Sequence, residues 1–240
     1  MKITEIEVHI LGGPTEARPH WVSHFPVPAA NELLVVLRTD SGLSGFGLGS
    51  SNGRLEKTAQ LFVDGLQDII VGSDALSPER LYEKLFSVTW QKIAAEKGWS
   101  KSELVLASAA VDIAMWDILG KQAGLPLYRL FGGHRDAVPC YVTCGYYRDG
   151  KDLDELREEM QMLKSQGHRA FNANIGALDL AQDMQRLRVI RDVIGDDAEL
   201  MIDVNCGWDL TTALAAVKRL PEVNPRWLEE PVHWLSLIHI

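Results

Sequence analysis

The sequence predicts an α+β capping domain over residues 1–130, followed by an α/β region over residues 131–240 that forms a partial TIM-type (β/α) barrel of about four βα units. Three observations carry this prediction. Alternating apolar and polar residues near the N-terminus give short antiparallel strands. A block of amphipathic helices comes next. After Gly132-Gly133 the pattern changes to strand-then-helix repeats roughly 30 residues long, the size of a βα unit. Eight such units need about 250 residues, and only about four fit between Val138 and Ile240, so the chain holds about half a barrel.

Residues 3 to 11 alternate in polarity with the period of a strand. Two β-rich runs, Glu32 to Arg38 and Leu43 to Leu48, flank the turn Thr39-Asp40-Ser41-Gly42 and complete a small antiparallel sheet. Helical spacing covers Leu55 to Ile70, Pro78 to Val88 with Ser77 placed to cap it, and Ser102 to Ala123. The last of these is strongly apolar on one face, and Gly124 and Pro126 stop it. Further β-prone runs start near Val138, Arg169, Glu199 and Arg226. Amphipathic helices near Leu153 to Gln166, Leu180 to Ile194 and Leu210 to Leu220 separate them. A doubly wound open sheet competes with a barrel here, but Cys144-Gly145-Tyr146-Tyr147 after the first of these strands does not match GxGxxG. Gly45-Phe46-Gly47-Leu48-Gly49 has the wrong spacing and no helix immediately after it. Nucleotide binding is not expected.

Composition excludes further classes. The formal net charge of −9 leaves no clustered excess of Lys and Arg, so no nucleic-acid partner is expected. Cys140, Cys144 and Cys206 are an odd number without paired CxxC spacing, which indicates neither a disulfide framework nor a zinc site and favours a reducing cytoplasm. Charged residues interrupt every apolar run of MKITEIEVHI, so the N-terminus reads as a strand, with no signal peptide and no membrane partner.

Two strand ends carry candidate chemistry. Met201-Ile202-Asp203-Val204-Asn205 closes the third strand of the second region, and Trp227-Leu228-Glu229-Glu230-Pro231 closes the fourth. Carboxylates at successive strand C-termini of a barrel converge on one mouth, and their oxygens suit a hard cation such as Mg²⁺. The competing reading is that these acids cap the helices that follow.

The run from Ala107 to Tyr128, ASAAVDIAMWDILGKQAGLPLY, followed by Leu130-Phe131-Gly132-Gly133, resembles the signature of the mandelate racemase and muconate lactonizing enzyme group of the enolase superfamily. The opening Met1-Lys2-Ile3-Thr4, the hairpin from Thr39 to Gly47, Asp203-Val204-Asn205 and Glu229-Glu230-Pro231 follow in the family's order, so the resemblance extends to about Val232. Beyond it, His233 to Ile240 departs from the family, and the last few residues read as non-native sequence. In that family three acids, at the ends of the third, fourth and fifth barrel strands, hold one Mg²⁺ that binds a substrate carboxylate. The resemblance therefore implies Asp203 and Glu229 as the first two metal ligands, with Glu230 a supporting acid and the third ligand beyond Ile240.

Where many members carry Lys-x-Lys, this chain reads Phe171-Asn172-Ala173-Asn174-Ile175, and neither Asn accepts a proton at neutral pH. The resemblance then implies a base on later strands, with Asn172, Asn174 and Asn205 as catalytic-site hydrogen-bonding groups; simple capping of the strand end is the alternative for Asn172 and Asn174. His168 precedes the second strand and falls at the end remote from the chemistry, and His233 lies outside the resemblance. The loop Pro19 to Pro26 supplies candidate substrate contacts in His20, Trp21 and His24, and the family also closes a loop near Ser50 to Gly53 over its substrate. The expected activity is Mg²⁺-dependent dehydration of a sugar acid, a small-molecule carboxylate, by a cytoplasmic protein whose full-length form is a homo-oligomer. A racemase or cycloisomerase of the same superfamily, and an inactive fragment or binding module, are the alternatives.

Overall fold

A computed structural model describes residues 1–12, 20–27, 31–50 and 55–235. These residues divide into two compact units, one built from 1–12 and 31–137 and the other from 20–27 and 138–235.

The first unit pairs strands β1 (Ile3–Gly12), β4 (Asn31–Thr39) and β5 (Ser44–Ser50) as an antiparallel sheet in the order β1-β4-β5; the intervening β2 (His20–Val22) and β3 (Phe25–Val27) belong to the second unit. Leu33, Val35 and Leu37 alternate along β4 and are fully buried, as period-2 patterning requires. The helical run from Leu55 is broken where one helix was expected. Helix α1 (Leu55–Leu61) passes through a widened turn at Phe62–Leu66, with Gly65 at φ 150°, into α2 (Gln67–Ile70). Then come α3 (Pro78–Val88), α4 (Lys92–Lys97), α5 (Lys101–Ala123) and α6 (Leu127–Leu130). Ser77 precedes α3, but its hydroxyl donates to Asp74 Oδ2 (3.2 Å) instead of capping the helix.

Helix α5 starts at Ser100, whose side chain accepts from Glu103 N, and ends at Gly124 in the left-handed conformation (φ 66°). It lies on the sheet because β5 offers glycines on its inward face. A Cβ at Gly47 would sit 1.9 Å from the Ala110 carbonyl oxygen, and one at Gly45 would sit 2.1 Å from that of Ala114. The Gly-rich stretch with no nucleotide-binding spacing is thus a groove for a helix.

In the second unit, β6 (Val142–Cys144), β7 (Tyr147–Arg148), α7 (Leu153–Ser165), β8 (Ala170–Asn174), α8 (Leu180–Ile194), β9 (Glu199–Asp203), α9 (Leu210–Val217), a 3₁₀ turn at Leu220–Val223 and β10 (Leu228–Glu229) follow in turn. The sheet is parallel, ordered β10-β9-β8-β6. The first strand starts at Val142 and not near Val138, which is exposed, and Pro221 ends α9 earlier than its apolar pattern suggested. The three helices share one device: Asp152, Asp179 and Asp209 each accept a first-turn backbone N–H, worth about 1 kcal/mol per cap. Phe171, Ala173, Leu200 and Ile202 point to the helical side and pack with Leu156, Met160, Leu187 and Ile190. Burying each large side chain contributes about 1.5–3 kcal/mol.

At the start of the strands Arg191 is buried. Its guanidinium donates to four backbone carbonyls, those of Gly195 (2.8 Å), Ala198 (2.8 Å), Val223 (2.9 Å) and Asn224 (3.0 Å). Among the described residues no helix is long and apolar enough to cross a membrane.

Candidate functional site

The site follows from strand register. Asn174 on β8 pairs with Asp203 on β9, and Asp203 pairs with Glu229 on β10; two residues earlier, Asn172 pairs with Met201. Side chains alternate along each strand, so Asn172, Asn174, Asp203 and Glu229 share the face opposite the apolar core. Neighbouring parallel strands lie about 4.8 Å apart, which brings the two carboxylates within reach of one ion.

Each group is oriented by a partner. Asp203 accepts from Asn205 twice, from N–H at Oδ1 (2.9 Å) and from Nδ2 at Oδ2 (2.8 Å). Glu229 Oε2 accepts from Asn172 Nδ2 at 3.5 Å and from Trp227 Nε1 at 3.3 Å. Asn174 donates instead to the Cys144 carbonyl at 3.1 Å, which ties β8 to β6. Asp209 caps α9, so Asp203 does not. Burial raises the Asp203 pKa, and the Glu229 and Glu230 charges add to the rise while the Asn205 hydrogen bonds oppose it.

The backbone here is strained. Asn205, Cys206 and Glu230 all have positive φ (47°, 61° and 41°), a conformation in which a side chain crowds its own backbone. The Glu230 carbonyl accepts from Cys206 N–H at 2.8 Å, joining the two strand ends, and its side chain is exposed.

Residues 20–27 form a hairpin where a loop was expected, and β2 also pairs with β7, with Trp21 opposite Tyr147 and His20 opposite Arg148. His20 meets the Tyr146 ring edge-on at 5.1 Å, and Trp21 stacks near Tyr147 at 6.5 Å. His24 stands at the turn, exposed, against Phe25. His20 and Tyr146 also line a cleft of ≈ 220 Å³ with Arg148, Lys151 and Glu159. Pro19, the Gly53 end of the second loop and residues 236–240 lie outside the described residues. His168 is half-buried just before β8, and His233 stacks with Trp234.

Sequence reasoning missed Tyr146. Burial raises its phenol pKa, and Asp203 and Glu159 are among the negative groups that add to this. It also missed the pair Asp183 and Arg186; a charged pair three residues apart on the apolar stripe of α8 was the available signal.

Residues 5–132 match the family described as mandelate racemase / muconate lactonizing enzyme, N-terminal domain, and residues 155–238 match the enolase C-terminal domain-like family. The chain belongs to the mandelate racemase/muconate lactonizing enzyme group of the enolase superfamily. Arabinonate dehydratase of Saccharolobus solfataricus is 30% identical over 197 residues, which is 82% of this chain and 51% of that protein. L-talarate/galactarate dehydratase of Salmonella typhimurium is 30% identical over 207 residues, 86% of this chain and 50% of that protein. A member of the group from a marine actinobacterium, solved in complex with magnesium, superposes with a TM-score of 0.81 at 28% identity, covering 97% of this chain and 60% of that one. Proteins named as racemases and cycloisomerases of this superfamily are similar too. The chain spans about half the length of the first two curated relatives it matches. Among the described residues, no group of three or more His, Cys, Asp or Glu side chains is arranged to hold a metal ion.

Proposed function

We propose that this chain is the N-terminal part of a Mg²⁺-dependent sugar-acid dehydratase. In this reading residues 1–130 are the capping domain and the four parallel strands open a (β/α) barrel. Later strands of a longer polypeptide then supply the third acidic ligand and the base. The observation that carries the proposal is the row Asn174, Asp203 and Glu229 in register at three strand ends. The donor set fits the ion: two carboxylates offer hard oxygens, and the amide oxygens of Asn172 and Asn205 are buried without a hydrogen-bond partner.

Bound there, Mg²⁺ supplies Lewis-acid stabilisation of the negative charge that develops on a substrate carboxylate as the adjacent C–H loses its proton. The chain's own groups do the rest of the positioning. Asn205 fixes the rotamer of Asp203, while Asn172 and Trp227 fix Glu229. An amide cannot take the proton, so Asn172 and Asn174 hydrogen-bond substrate hydroxyls, and the proton goes to a base outside these strands. Loss of the β-hydroxyl as water then leaves an enol that tautomerises to the 2-keto-3-deoxy acid. His20, Trp21 and His24 face the distal end of the substrate. The named dehydratases among the relatives support the reaction class, and we place the protein in the cytoplasm as a homo-oligomer.

The test is turnover of a sugar-acid panel by the longer protein. Asp203→Asn should lower kcat by about 10²–10³-fold, as losing a charge-stabilising group does. Asn174→Ala should change substrate preference by removing one hydrogen bond. Full activity in Asp203→Asn would end the metal assignment. Exchange of the α-proton with solvent deuterium without loss of hydroxyl would favour a racemase.

A further inference from the structure

Helix α8 carries a carboxylate that the mechanism does not use. Asp183 is completely buried, and both of its oxygens are engaged: Tyr147 Oη donates to Oδ1 at 2.5 Å and Gly176 N–H to Oδ2 at 2.9 Å. Tyr147 lies just past β6 and Gly176 just past β8, so one side chain ties the segments leaving two neighbouring strands. Tyr147 Oη in turn accepts from Ala177 N–H at 3.4 Å. Arg186, nearly one turn on, donates to the Gly145 carbonyl at 2.6 Å and places its guanidinium 4.3 Å from the centre of the Tyr147 ring.

This network ends on the hairpin of β2 and β3. Trp21 pairs with Tyr147 in the β2–β7 ladder, and its ring is nearly parallel to the tyrosine's, at 15°. A second attachment lies at the hairpin turn. Ser23 is buried there, and a Cβ at Gly207 would come within 2.2 Å of its Oγ. Only a residue without a side chain at 207 lets Ser23 seat against the loop after β9.

We infer that Asp183 is a positioning residue: through Tyr147 it holds the hairpin carrying His20 and Trp21 against the ends of β6 and β8, and so fixes where those two side chains meet a substrate. The substrate-facing role rests on the proposed function; the clasp does not. A buried carboxylate gains more from each donor than an exposed one does, and losing a donor leaves it under-compensated. That makes the arrangement nearly all-or-none, which suits a hairpin of two three-residue strands.

Hydrogen exchange by mass spectrometry on the 240-residue chain tests this without substrate or metal, so its failure is distinct from failure of the dehydratase reading. In Asp183→Asn, and in the milder Tyr147→Phe, amides of residues 20–23 and 145–148 should exchange about tenfold faster or more. Amides of 171–173 and 200–202 should stay within about twofold of the parent. Gly207→Ala should release residues 20–23 as well, with Asp183 and Tyr147 intact. Unchanged exchange at 20–23 in the Asp183 and Tyr147 variants overturns the inference. So does protection lost equally across residues 138–235, which would mark Asp183 as an ordinary core group.

Discussion

Asn172→Asp puts a third carboxylate against Glu229, and its cost can be worked from the structure. Asn172 is almost fully buried, and its Nδ2 lies 3.5 Å from Glu229 Oε2. Two unit charges at that separation repel by about 5 kcal/mol at an effective dielectric near 20. Glu229 is only half-buried, so solvent screening brings this down to about 2 kcal/mol, and losing a hydrogen bond to a charged group adds about 1. Protonating the new Asp sets a ceiling. Keeping a carboxyl of ordinary pKa near 3.9 neutral costs about 4 kcal/mol at pH 7 and about 1.5 kcal/mol at pH 5. An acid whose folded-state pKa is raised destabilises the fold increasingly as pH rises above its unfolded value, so the penalty is larger at pH 7. The expected loss of about 3 kcal/mol lowers the melting temperature by roughly 10 °C at pH 7 and by about half as much or less at pH 5. Millimolar Mg²⁺ should recover much of it at pH 7, because three clustered carboxylates now favour the ion. Thermal melts of the 240-residue chain at both pH values, with and without Mg²⁺, read all of this. Equal losses at pH 5 and pH 7, or no response to Mg²⁺, would refute the electrostatic reasoning.

Three further outcomes follow from the geometry. Gly47→Ala drives a Cβ to 1.9 Å from one backbone atom of α5 and 2.8 Å from another, and should lower stability by about 3 kcal/mol or more. Gly49→Ala brings its Cβ to 3.2 Å from the Leu106 side chain, with Ala110 Cβ and the Leu106 carbonyl oxygen next at 3.4 Å, and should cost about 1 kcal/mol or less, so equal urea midpoints for the two variants would contradict the packing. Arg191→Lys replaces a planar fork that serves four carbonyls with a single ammonium, and should cost about 2–4 kcal/mol in the same assay. Because burial and neighbouring acids raise the Asp203 pKa, Mg²⁺ binding should fade on acidification at a pH above the ordinary Asp value near 3.9; calorimetric titrations showing half-loss at or below that value would count against it.

The parts of the fold that were legible in the sequence are those set by local period and punctuation. Helix α8 starts and ends where its apolar stripe does, and α5 differs by one residue, because Ser100 and Gly124 define its ends by backbone chemistry alone. The break at Gly65 was not legible, since one glycine in an apolar helical pattern reads as tolerated until tertiary packing opens the turn. The hairpin 20–27 was hidden for a different reason: its strands are three residues long, and β2 also pairs with Tyr147 and Arg148, more than a hundred residues away in sequence. In the candidate site, the side-by-side placement of Asp203 and Glu229 could be anticipated from strand spacing. The orienting bonds could not, because Asn172 reaching Glu229 and Asn174 turning to the Cys144 carbonyl depend on rotamers chosen by three-dimensional neighbours.

Arg191 divides the second unit into two ends with different freedom to change. At the starts of β9 and β10 one guanidinium consumes the carbonyls of two connecting turns, so an insertion or deletion there would orphan a buried cation and its acceptors together. The opposite rim, at the strand ends, is held differently. There the ties are spread more thinly, Arg186 to the Gly145 carbonyl and Asp183 to Tyr147 and Gly176, so a change in one loop disturbs fewer partners at once.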